Sequence, residues 1–183
     1  MTDQTKEFRA PENITPEALA NDLARLVGES FSDFVAAGET ESALGALGLI
    51  DEGGNPDQRA VEEALIFLMW AHTRGAQMAF VGRAPNELVK RALDGLHSAV
   101  FEDMVENGTP QTQLPLFEQR VGARYQEYHT ASAQSDGKLG EVAVRHLTGG
   151  ESSSDALTWA VTERALAVAR PLKDYLDDVQ LIP

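Results

Sequence analysis

The sequence contains no cysteine. A disulfide framework, a thiolate nucleophile and a cysteine-ligated metal are therefore excluded. Lysine is also scarce. Lys6, Lys90, Lys138 and Lys173 stand with 11 arginines against 29 acidic residues, for a net charge of −14. A chain with that balance and no basic face repels phosphate backbones, so nucleic acid is not expected as a direct partner. The same field disfavours an anionic membrane surface. Long apolar runs are missing too. The longest, ALIFLMWA at 64–71, follows Glu62 and Glu63 and is soon interrupted by His72, Arg74 and Gln77. That falls far short of the ~18 apolar residues a membrane helix needs. The opening stretch MTDQTKEFRAPENITPEALA has no apolar segment behind a basic cluster. No secretory leader is expected, and the reading is a cytoplasmic protein.

Known catalytic patterns are absent as well. There is no Glu-x-x-His, as in di-iron bundles, and no His-Glu-x-x-His, as in helical zinc proteases. Gly137-Lys138 lacks the upstream glycine of a phosphate loop, and Leu139 replaces its metal-binding hydroxyl. GESFS resembles a nucleophile elbow, but Ser32 stands where the second glycine belongs and no strand precedes it. No catalytic residue, metal ligand set or cofactor is assigned.

What is present is helical periodicity. Thr15-Pro16 reads as a cap and first turn, followed by Leu19, Leu23, Leu26, Val27, Phe31 and Phe34 along one face up to Gly38. A short helix, weakened by Gly45 and Gly48, comes next. Further helices are predicted over about 56–82, 85–107 and 114–133, followed by a short one after QSDGKLGE that ends in VRHLTGG, and a last one capped by Ser153 or Ser154. Apolar residues all round the 64–71 run predict a helix enclosed on every side, with Phe67, Leu68 and Trp70 buried. No window alternates long enough to argue for a sheet. The expectation is one all-α domain over 14–183, a bundle of about six to seven helices around a central apolar helix. A loose segment over 1–13 precedes it, and 14–55 form an acidic helical part, since 1–57 hold 12 acids against three bases.

In DEGGNPDQ, residues Asp51, Asn55, Asp57 and Glu62 fall at positions 1, 5, 7 and 12 of a calcium loop. Gly53 offers no oxygen at position 3, however, and Pro56 replaces the turn glycine at position 6. The stretch reads instead as a turn, with Asn55 capping a helix that starts at Pro56.

RYQEYHTA carries the most site-like grouping. Tyr125, Tyr128 and His129 fall at helical spacing on one side, so His97, Tyr125 and His129 are candidate ligand-binding residues. The plainer reading makes the tyrosines core or rim residues whose hydroxyls reach water. Asp94 one turn before His97 offers a metal pair of little specificity. In the last helix, Leu157, Val161, Ala165, Val168 and Leu172 form one stripe, while Trp159 and Leu166 lie well round from it. Trp159 and Leu166 are therefore candidate interface residues of a symmetric homodimer. The leading functional reading is a non-enzymatic self-association or protein-interaction module. The alternatives are a binder of a small apolar or aromatic ligand between helices, and an enzyme with an unfamiliar site.

Overall fold

Three-residue strands at the two ends of the chain pair in parallel: β1 (Glu12–Ile14) and β2 (Val179–Leu181), with Glu12 opposite Val179 and Ile14 opposite Leu181. No sign of this ribbon is legible in the sequence, because three residues are too few to display a period of two. The other named elements of the computed structural model are helices, joined by turns and loops, one of which holds an isolated bridge between Ile50 and Pro56. The structure describes residues 12–36, 42–150 and 155–183, without the side chains of 156, 157 and 164–171. The protein is predominantly all-α, with seven α-helices and one 3-10 turn among the described residues. Part of the stretch read as loose, Glu12 and Asn13, belongs to β1; residues 1–11 lie outside the description.

α1 (Pro16–Val35) starts where Thr15 accepts a hydrogen bond from the Ala18 amide at 3.3 Å. It buries Leu19, Leu23, Val27 and Phe34. α2 is a single turn, Ala43–Ala46, capped by Ser42. α3 (Gln58–Phe80) begins two residues later than its sequence suggests. Asn55 turns back on Asp51 and Pro56 bridges Ile50, so the cap passes to Asp57, which accepts from the Ala60 amide at 2.8 Å. Within the loop, Asp51 accepts from the amides of Gly53 and Asn55.

α3 is the central helix. It packs against α1, α4 (Asn86–Glu106), α5 (Leu114–Ser132), α6 (Asp136–Thr148) and α7 (Asp155–Asp177). Cover on every side is why Phe67 and Leu68 are each 1% exposed and Trp70 6%. One face of α3 joins Phe67 and Trp70 to Tyr128, Val144 and Leu147; another joins Met69, Ala76 and Phe80 to Leu23, Leu96 and Leu176. α6 approaches α7 so closely at Gly140 that a methyl there would lie 1.9 Å from the Thr162 hydroxyl. Arg83 closes the far end, donating to the carbonyls of Leu176 at 3.1 Å and Val179 at 2.8 Å. Among the described residues, no helix is long and apolar enough to cross a membrane.

Candidate functional site

α1, the first turns of α3, the last turns of α4 and the start of α5 enclose a cleft of about 1090 Å³. Its floor is apolar. Val27, Val100 and Phe117 are buried beneath it, and Phe31, Val61, Leu65 and Met104 are half-buried along its walls. Leu116 stands on the lip with 66% of its surface exposed. The α1 wall runs from Ala24 to Phe31, and the α4 wall from Ala99 to Asn107. At 1.5 Å per residue each wall is about 10–12 Å long, or two helical turns.

Gly28 lies in the middle of the α1 wall. A methyl added there would meet nothing within 4 Å, so packing does not require the glycine. Glycine in a helix interior costs about 1 kcal/mol relative to alanine. Its effect is to leave a stretch of the cleft wall unfilled.

The rim is charged, mostly negatively. Its two cations are already engaged, Arg25 by Glu29 at 2.7 Å and Arg120 by Glu62 at 2.5 Å. Glu102, Asp103 and Glu106 are exposed and form no ion pair with a described residue. They crowd the C-terminal end of α4, whose last turn carries no basic side chain.

The residues singled out in the sequence divide. His97 and Tyr125 do meet, with Nε2 and the hydroxyl 2.8 Å apart. His97 Nδ1 lies 2.7 Å from the Leu93 carbonyl, which can only accept. In the neutral ring Nδ1 therefore carries the hydrogen, and Nε2 accepts from Tyr125. Thr73 lies 3.4 Å from the same hydroxyl, and burial pushes the phenol well above its ordinary range. Neither residue lines the cleft. A run of ring contacts, Tyr125 to His97, His97 to Phe101 and Phe101 to Phe117, connects them to its floor. His129 is exposed, and no hydrogen bond or ring contact joins its imidazole to the other two. Trp159 is 66% exposed on α7; the side chain of Leu166 lies outside the described residues, as do those of Leu157, Ala165 and Val168.

The expectation that the tyrosine hydroxyls reach water is not met. Tyr128 is enclosed by Phe67, Trp70 and His146, and its buried hydroxyl has no hydrogen-bond partner among the described residues. Tyr125 spends its hydrogen on His97.

Nearby, Glu63 is buried at 3% exposure and grips Arg124 through two bonds of 2.8 and 3.0 Å. Arg124 also reaches Glu127, which accepts from His146 at 2.9 Å and Arg145 at 3.1 Å. Burial alone would raise the Glu127 carboxyl, but His146, Arg124 and Arg145 together hold it below its ordinary value. This chain ties α3, α5 and α6 together, with each charge answered within it. Asp94 pairs with Lys90 rather than with His97, and no group of three or more acidic or histidine ligands occurs among the described residues.

Comparison with known protein families, with curated proteins and with solved structures finds no match. The site is therefore read from its own geometry. Its lining comes from four separate segments, none of them a motif, so spacing along the chain did not single it out. Two signals were nonetheless legible. One is a glycine inside an otherwise good amphipathic helix. The other is a set of acids at the wrong end of α4 for its dipole.

Proposed function

We propose that this chain is a protein-interaction module whose cleft receives the apolar face of a partner helix. The observation that carries this reading is the apolar floor bounded by two helical walls, each about two turns long. Side chains at i, i+4 and i+7 of a visiting helix span about 10 Å, which matches that length. The unfilled wall at Gly28 leaves room for one such anchor. Buried apolar anchors of this kind dominate the energetics of protein interfaces.

The volume favours a second reading, a small apolar or aromatic ligand, since about 1,000 Å³ is the upper end for such pockets. One pair of variants addresses both. Gly28→Leu fills the cleft from its wall, whereas Gly122→Leu makes the same change on α5, outside the lining, where an added methyl also meets nothing within 4 Å. A leucine-faced amphipathic peptide and a neutral aromatic dye serve as probes. The expected result is peptide binding to the native chain and to Gly122→Leu, and none to Gly28→Leu. Binding of the dye alone, again lost in Gly28→Leu, would favour the small ligand. Peptide binding that survives Gly28→Leu would refute the cleft as its site.

A further inference from the structure

We infer that the helix received by this cleft is basic, with lysine or arginine beside its apolar face to meet Glu102, Asp103 and Glu106. This rests on the helix-binding reading above. Placing those acids where they are is costly. The C-terminal end of a helix carries partial negative charge, so carboxylates there are unfavourable. Glu102 and Glu106 are four residues apart and Asp103 and Glu106 three, so they also repel one another across consecutive turns.

Some exposed acids elsewhere have a basic partner one turn away, while others, Glu163, Asp174 and Asp178 among them, form no ion pair with a described residue. Glu29 has Arg25, Asp94 has Lys90, Glu141 has Lys138 and Asp177 has Lys173. On the cleft rim the available cations, Arg25 and Arg120, are already taken. Three uncompensated carboxylates thus stand beside an apolar floor. A cationic flank on the occupant supplies the missing countercharge and relieves the repulsion within α4. A neutral or acidic helix of the same apolar face leaves that repulsion in place or adds to it.

The test uses three peptides of about 15 residues, long enough to be helical when bound. They share one leucine face and carry lysine, glutamine or glutamate on their flanks. Fluorescence anisotropy against the full chain should show the lysine peptide binding about tenfold tighter than the glutamine peptide, and the glutamate peptide weakest. That advantage should fade by about 0.5 M salt, where screening is nearly complete.

The triple variant Glu102→Gln, Asp103→Asn, Glu106→Gln should bind the lysine peptide no better than the glutamine peptide. It should also melt at a higher temperature than the native chain, since acids serving the fold would instead be missed. A second triple variant, Glu163→Gln, Asp174→Asn, Asp178→Asn, removes the same charge from exposed positions outside the cleft. It should bind the lysine peptide as the native chain does. Equal affinity for the lysine and glutamine peptides would overturn the basic partner while leaving the helix-binding cleft intact. So would an equal loss in both triple variants, which would reduce the effect to net charge. No binding by any of the three peptides would overturn the cleft reading, and this inference with it.

Discussion

Tyr125 gives its hydroxyl hydrogen to Nε2 of His97 across 2.8 Å, joining α5 to α4 behind the cleft floor. Both ring nitrogens of His97 are thereby occupied, Nδ1 by the Leu93 carbonyl and Nε2 by Tyr125. A histidine so committed is positioned as part of the scaffold. Tyr125→Phe leaves the half-buried Nε2 without its donor and should cost about 1–2 kcal/mol in urea denaturation. Peptide binding in the cleft should be unchanged. A large loss of binding with unchanged stability would return His97 and Tyr125 to the site itself.

The enclosed α3 makes a stronger demand. Phe67 stacks on Trp70 at 6.3 Å and meets the edge of Tyr128 at 5.2 Å. Phe67→Ala removes both contacts and opens a cavity, with an expected loss of about 3–5 kcal/mol. A loss under about 1 kcal/mol would mean that the surrounding helices collapse into the space, contrary to a tightly packed centre.

Much of this was legible before any coordinates. The 64–71 run reads as a helix with no solvent face because eight consecutive apolar residues exceed what one stripe accommodates, and the five helices around α3 supply the cover. Spacing groups His97 and Tyr125 only loosely, and it adds His129, whose imidazole makes no described contact with either. Spacing of three and four residues places side chains near one another, but the position of α4 decides which of them turns inward. The cleft as a whole was not legible, beyond the hints of Gly28 and the α4 acids, because its walls come together only when four helices pack, and Asn55 lost its capping role to a local turn with Asp51.

The buried Glu63 depends on Arg124. Arg124→Ala strands a carboxylate that is 3% exposed, which should cost about 3–5 kcal/mol. The double variant Glu63→Leu, Arg124→Leu removes the stranded charge and should recover most of that loss. If the single and double variants are equally unstable, packing by the arginine stem outweighs the ion pair.

Acid should weaken the fold in two stages. His72 is buried with its Nδ1 2.8 Å from the Leu68 carbonyl, and burial lowers its affinity for a proton despite that bond. Below the ordinary imidazole value of about 6.5, the unfolded chain takes up a proton that the folded chain refuses, so stability falls as pH falls. The slope from this one site reaches at most about 1.4 kcal/mol per pH unit. Glu127, held below its ordinary value, contributes stability that is present above about pH 4.5 and lost as pH drops through its folded value. His72→Asn, which keeps a donor for the Leu68 carbonyl, should flatten the dependence between about pH 7.5 and 5.5 but not the later stage. Identical curves for both chains would place the first stage elsewhere.

A helix seated in the cleft between α1, α4 and α5 would perturb the residues that line it. Backbone amide shifts recorded by NMR during titration with the leucine-faced, lysine-flanked peptide test this seating most directly. The largest changes are expected on Gly28, Phe31, Met104 and Leu116, while Met78, Val81 and Trp159, apolar and exposed but outside the cleft, stay in place. Changes centred on Trp159 and its neighbours on α7, with the cleft residues unmoved, would contradict a helix seated in the cleft.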